Sequence, residues 1–374
     1  MKGRWAALPG LALLLAACGG TAAPASSAPK ASGGAAASAA APNTIEGLSA
    51  SLKGKSADER KQILLAGAQK EGSMMLYSTM NAGDAQAVID GFNKAYPSVH
   101  AEVFRASDGD LANKALTEVR AKKTLFDVID VSPESILNYE SAGAVVPYDS
   151  PSFAGLQQGM RDPQGYWAFM YLNGVVPAWN TNNVKPNEIP KSLDDFLSPR
   201  WKDKLSIDSE DYAWAEFVKA TMGDQQGTDF LKKLAAQNPR VLSSRTNQLN
   251  LLTAGEFDAS VALFDYSVIA AKKKGAPVDY AYLRPTMIAG EPLLADKTAP
   301  HPYAALLFVD WLFSKDGMQI LADSTGRMVP RDDVKLKNPE IADQTKGQTW
   351  VQGADSGKDL SQKQKEFSSL FKAS

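Results

Sequence analysis

The 374-residue chain carries one cysteine and two histidines. A single thiol excludes an intrachain disulfide, and so few soft donors nearly exclude a zinc site of the cysteine/histidine type. Basic excess is also lacking: 40 lysines and arginines face 42 aspartates and glutamates, a formal charge of -2. That removes the electrostatic footprint a nucleic-acid partner needs. No Gly-x-Ser-x-Gly elbow, His-Glu-x-x-His helix or Gly-x-x-x-x-Gly-Lys loop occurs, so the common hydrolase, metalloprotease and phosphate-loop signatures are absent. A catalytic group assembled only in three dimensions stays open, because triads are recognised by geometry. No repeat of fixed period is seen. An apolar content of 44% is ordinary for a globular protein, and the length predicts two domains at roughly 100–200 residues each.

What is present begins with Lys2 and Arg4, followed by an apolar run from Trp5 to Ala17. The run is short for a membrane span and has the pattern of a secretory signal, residues 1–17. It ends in Leu15-Ala16-Ala17-Cys18-Gly19. This resembles the bacterial lipoprotein box, in which the cysteine becomes the lipidated first residue after cleavage. Gly19 to Asn43 is almost entirely small residues and proline, so residues 18–47 are expected to be a flexible tether. The expectation is an extracytoplasmic protein, lipid-anchored to the cell membrane at Cys18 and facing a periplasm or the cell exterior.

The folded part opens with a helix start. Ser56 followed by Glu59 is a capping box. Three strand–helix units follow, with strands at Ser73–Tyr77, around Val99–Val103 and at Phe126–Val131. Such a succession predicts an α/β fold with a parallel sheet and helices on both faces. From Pro147 the texture changes, and Tyr166 to Asn180 reads as one or two extended segments crossing to a second lobe. Further strands are expected at Lys204–Ile207, Asn238–Leu242, Ala259–Phe264 and Val278–Leu283, with an extended return over Glu291–Ala299. Helices are expected over Tyr212–Met222, Gly227–Ala236, Val268–Lys274 and from Pro302. Beyond Pro330 the chain is polar with a few aromatic anchors and should contribute helices or loops. The lobes are expected as 48–165 plus 268–325, and 166–267 plus part of 326–374.

Candidate ligand groups sit at the predicted strand ends, where open α/β sheets expose them: Ser78, Thr79, Asn81, Ser107, Ser132, Asp208, Ser209, Arg245, Asp265 and Tyr266, with Tyr166 as an aromatic wall. Two chemistries fit. Helix-start N–H groups with Arg245 suit a small anion. Tyr266, Asp265 and Asp208 offer hard oxygen donors to a metal ion. No resident cofactor is expected.

Several segments, each weak alone, occur in a telling order: Leu76-Tyr77-Ser78-Thr79, Phe126-Asp127-Val128-Ile129-Asp130, Trp179-Asn180-Thr181-Asn182, Pro199-Arg200-Trp201, Leu252-Thr253-Ala254-Gly255-Glu256-Phe257-Asp258 and Thr325-Gly326-Arg327. With the lipoprotein leader they resemble the extracellular solute-binding proteins of bacterial ABC importers, near the ferric-iron, thiamine and phosphonate-type cluster. The resemblance spans roughly Ser56 to Pro330. It implies a two-lobed type II periplasmic-binding fold with two crossing strands, the second expected within Gly255–Pro285. It also implies a monomer without catalytic activity that delivers a small polar solute to an ABC permease and its ATPase. Iron-binding relatives carry adjacent tyrosines where this chain has Asp265 and Tyr266. Fe(III) with a synergistic anion and a small anion alone are therefore both expected versions. An anchored hydrolase using Asp208 or His100 in a cleft, and a sensory binding module without transport, are the alternatives.

Overall fold

The computed structural model describes residues 43–345 and 349–372. The expected signal peptide, the Cys18 lipidation site and most of the tether lie outside the described residues. Thr44 caps the first helix, α1 (Ile45–Leu52), whose Ile45, Leu48 and Leu52 are buried. Residues 45–47, expected in the tether, are therefore helical: their apolar side belongs to the core.

Helix α2 (Ala57–Glu71) starts at the Ser56–Glu59 capping box and stops at left-handed Gly72, φ 76°. Then come β1 (Ser73–Ser78), α3 (Ala82–Ala95), β2 (His100–Arg105), α4 (Asp108–Arg120), β3 (Val128–Asp130), α5 (Ile136–Ser141) and β4 (Val145–Val146). Strand β5 (Trp167–Asn180) is one continuous element. It is followed by β6 (Leu205–Asp208), α6 (Tyr212–Met222), α7 (Asp224–Ala236), β7 (Arg240–Leu242), α8 (Arg245–Thr253), β8 (Ala259–Phe264), α9 (Asp265–Lys273) and β9 (Val278–Tyr280). The chain continues through β10 (Thr286–Asp296), α10 (Pro302–Leu312), α11 (Lys315–Thr325), α12 (Pro339–Thr345), β11 (Thr349–Gln352) and α13 (Leu360–Phe371). Among the described residues no helix is long and apolar enough to cross a membrane.

All described strands join one mixed sheet in the order β2-β1-β3-β10-β5-β8-β6-β7, with β4 and β11 on β10 and β9 on β5. The outer triplets are parallel, β2-β1-β3 on one side and β8-β6-β7 on the other. Between them β5 and β10 pair antiparallel. These two strands are shared: β10 also pairs with β3, and β5 also pairs with β8. The period-2 pleat sends neighbouring side chains to opposite faces. Leu76, Val128 and Leu293 accordingly join one buried cluster with Phe92, Phe308 and Leu321. Tyr77, Ile129 and Leu294 join another with Leu111 and Tyr139. On the far side, Trp179 and Val261 pack with Trp214, Phe230 and Phe367, whereas Ala178 and Leu263 pack with Leu252 and Val268.

Three differences from expectation matter for the site. Helix α9 begins at Asp265, directly after β8, so the polar group sits on the first turn and not on a loop. The long return strand starts at Thr286, whereas β8 and β9 within Gly255–Pro285 pair only with β5 and β6. The tail contributes β11, parallel to β10. It is only four residues long, and its partner strand is far away in sequence.

Candidate functional site

Strand β1 ends at Ser78, which is fully buried and accepts the Met80 N–H at 3.1 Å. The next residue, Thr79, meets two acids. Its N–H donates to Asp130 Oδ1 at 2.8 Å, and its Oγ1 lies 2.7 Å from that oxygen and 2.6 Å from Glu291 Oε1. A hydroxyl has one proton to give. With both carboxylates ionised, one of these contacts would set lone pair against lone pair, so one acid holds a proton. Burial pushes both groups up, Glu291 well up, with the Asp130 charge adding to Glu291 and the Asp108 charge adding to Asp130. The other Asp130 oxygen is buried with no hydrogen-bond partner.

Glu134 and Asp108 extend this acidic wall. Asp108 Oδ1 accepts the Ser132 N–H at 3.0 Å and Oδ2 the Ser135 hydroxyl at 2.6 Å. Burial pushes Glu134 up to about 7, with the Asp108 charge adding to it. That charge also raises Glu210 and Tyr212, beside β6. Groups from β3, α4 and the β6 end thus share one electrostatic environment.

Strand β6 ends in buried Asp208, whose Oδ1 accepts the Glu210 N–H at 2.9 Å. Buried Asp211 accepts the Asp208 N–H at 3.0 Å and forms a short ion pair with Arg245. Burial holds Asp211 above the usual carboxylate range against the pull of Arg245. The Arg245 guanidinium also stacks 4.5 Å from the Phe264 ring. Ser209 contributes a backbone bond, its N–H to Leu242 O at 2.9 Å.

Where β5 meets β8, Asp265 is 1% exposed. Its Oδ1 accepts the Tyr266 N–H at 2.7 Å and its Oδ2 the Tyr282 hydroxyl at 2.9 Å. Gly174 makes room for it: a Cβ there would lie 2.3 Å from Asp265 Oδ2. Burial pushes Asp265 up to about 7. Tyr266 points elsewhere, with its hydroxyl 3.5 Å from Asn81 Nδ2 and its ring 3.9 Å from the Arg327 guanidinium. Arg327 lies 4.5 Å from Tyr171 on its other contact and pairs with Asp84 at 2.6 Å. Its Nε donates to Asn173 at 3.2 Å.

The expected site residues thus separate into groups. Thr79, Ser132, Asp208 and Arg245 border the acidic region, and Asn81 and Tyr266 meet each other. Asp265 is turned toward Tyr282 and Gly174. Ser107 caps α4 by accepting the Asp110 N–H at 3.3 Å. Tyr166 lines a different cavity, with Trp167 and Trp350. Among the described residues no group of three or more histidine, cysteine, aspartate or glutamate side chains is placed to hold a metal ion. Asp130, Glu291 and Arg327 were not anticipated as site groups. Each had a signal: a lone charge inside an apolar strand, or beside one, is rarely buried without a partner.

A family model described as bacterial extracellular solute-binding protein matches residues 123–348, more than half of the chain. The chain belongs to that family. The receptor is 21% identical over 266 residues to a protein of Serratia marcescens named Fe(3+)-binding periplasmic protein, covering 68% of this chain and 77% of that one. Iron-bound HitA from Pseudomonas aeruginosa superposes with a TM-score of 0.68 at 20% identity, over 80% of this chain and 98% of that one. AfuA from Actinobacillus pleuropneumoniae, with fructose-6-phosphate bound, gives 0.72 at 17% identity, over 81% and 99%. At these identities the likeness establishes the periplasmic-binding architecture. Members of this family bind small solutes outside the cytoplasm and hand them to ABC importers; they are not enzymes.

Proposed function

We propose that this receptor captures a small cation between two lobes and presents it to an ABC permease and its ATPase. One lobe carries β1–β4 with α2–α5, α10 and α11; the other carries β6–β9 with α6–α9. The strands β5 and β10 are the two crossings, which moves residues 268–285 from the first lobe, as expected from sequence, into the second. Cys18 anchors the receptor by lipid to the membrane, and residues 18–44 tether it as a monomer.

One observation carries the choice of a cation. Arg245 and Arg327, the two arginines that touch Phe264 and Tyr266, are already ion-paired, Arg245 with Asp211 and Arg327 with Asp84. Around them Asp108, Asp130, Glu134, Asp208, Glu210 and Glu291 leave an excess of acid. Two helix starts are also taken: Asp108 accepts the Ser132 N–H, and Ser107 accepts that of Asp110. An anion at either start would have to displace that side chain. Fe(III) is the cation we name, supported by the Serratia and Pseudomonas relatives. Tyr266 supplies the phenolate and Asp208, on the same lobe, a carboxylate, and acids from the facing lobe complete the site on closure; Asp265 positions Tyr266 from behind. Ligand preference for the closed form then shifts the population the permease reads.

The test is direct. After exposure to ferric citrate and gel filtration, the protein retains iron with a visible phenolate-to-iron band, and Tyr266→Phe removes both. Iron retained by Tyr266→Phe would remove Tyr266 from the site. Tight binding of fructose 6-phosphate without iron would turn the reading to an anion.

A further inference from the structure

A cavity of about 550 Å³ lies beside the C-terminal tail, within the range of small-molecule sites. None of Thr79, Asp130, Glu291, Arg245, Tyr266 or Arg327 lines it. Its wall is aromatic and acidic: Tyr166, Trp167 and Trp350 with Glu140, Asp162 and Glu216. No lysine, arginine or histidine is among the lining residues. Two lining acids are compensated from the rim, Glu216 by Lys363 at 3.0 Å and Asp355 by Lys358 at 2.8 Å. Glu140 and Asp162 have no cationic partner among the described residues. The Asp162 side chain accepts the Tyr166 N–H at 3.0 Å. The Asp162 charge adds to partial burial in raising Glu140. Glu216 Oε2 is shielded from solvent and makes no hydrogen bond.

We infer that this cavity is a separate binding site for a small organic ammonium ion. Aromatic rings attract a cation through their negative faces, most strongly when it is of low hydration. Two uncompensated carboxylates supply the counter-charge and repel anions. The tail builds the site by carrying Trp350 into place: β11 pairs with β10, and Trp350 packs 5.9 Å from Phe217.

The probe is choline, titrated into the full-length receptor and followed by tryptophan fluorescence. The matched control is 3,3-dimethylbutan-1-ol, which has the same shape without the charge. We expect a saturable response to choline and none to the alcohol. Glu140→Gln should weaken choline at least about five-fold, and its freedom from partners keeps the fold intact. Asp162→Asn, which still accepts the Tyr166 N–H, should act in the same direction. No saturable response to choline, an equal response to the alcohol, or unchanged affinity in both variants would overturn the inference. Tyr266→Phe should leave choline binding unaltered, so failure here is distinguishable from failure of the iron reading.

Discussion

At the end of β6, Asp211 is buried and held against the Arg245 guanidinium. At the end of β3, Asp130 is buried equally, yet its neighbours are Thr79 and a second acid, Glu291. The first carboxylate is neutralised by a fixed cation and the second pair by a proton. A fixed ion pair resists exchange because removing one partner strands the other. A shared proton can leave the Asp130–Glu291 pair without breaking a structural ion pair. The difference places the structural charge on one side and the adaptable charge on the other.

The comparison can be broken most severely at Arg245. Arg245→Ala should cost about 3 kcal/mol or more, read by urea unfolding, because Asp211 loses its partner while staying buried. The double change with Asp211→Ala should cost less than the sum of the single changes. Additive losses would mean that Arg245 and Asp211 do not act as one structural unit.

The shared strands come next. A Cβ at Gly290 would lie 2.5 Å from the Phe169 ring, and one at Gly174 would meet Asp265. Either substitution by alanine should cost about 1–3 kcal/mol through overpacking. Gly290→Ala should leave the Asp265–Tyr282 contact intact, whereas Gly174→Ala should also weaken ligand capture, measured as retained iron.

The smallest effect is expected at Glu291. Glu291→Gln replaces an acid that already prefers its protonated form, so stability at pH 5 should change little. The pH dependence should change more. Folded-state affinities for protons at Asp130 and Glu291 are raised above their unfolded values. Their contribution is full below the unfolded carboxylate range, about pH 4, and is lost as pH rises through the raised values. Wild-type stability should therefore fall over that interval, and the Gln variant should fall less steeply. A steeper fall in the variant would contradict the shared-proton account.

Much of this architecture was legible from local signals. The Ser56 capping box, the Tyr212–Met222 helix and the Ala259–Phe264 strand occur where spacing and apolar patterning place them. Strand β11 was not legible, since Thr349–Gln352 is only four residues long and becomes a strand by pairing with Thr286–Ala289, far away in sequence. The candidate site was legible in outline through Thr79, Arg245 and Tyr266. The orientation of Asp265 was not, because it depends on Gly174 and Tyr282 from other segments. Nor were the partners of Arg245 and Arg327 visible, Asp211 and Asp84, which engage both guanidiniums.

The most direct test of that acidity is competitive loading of the full chain. The receptor is offered ferric citrate and fructose 6-phosphate together, and the bound solute is identified by native mass spectrometry. The account predicts one ferric ion per chain in the wild type, lost in Tyr266→Phe. A chain that instead carries the sugar phosphate, with or without Tyr266, would contradict it.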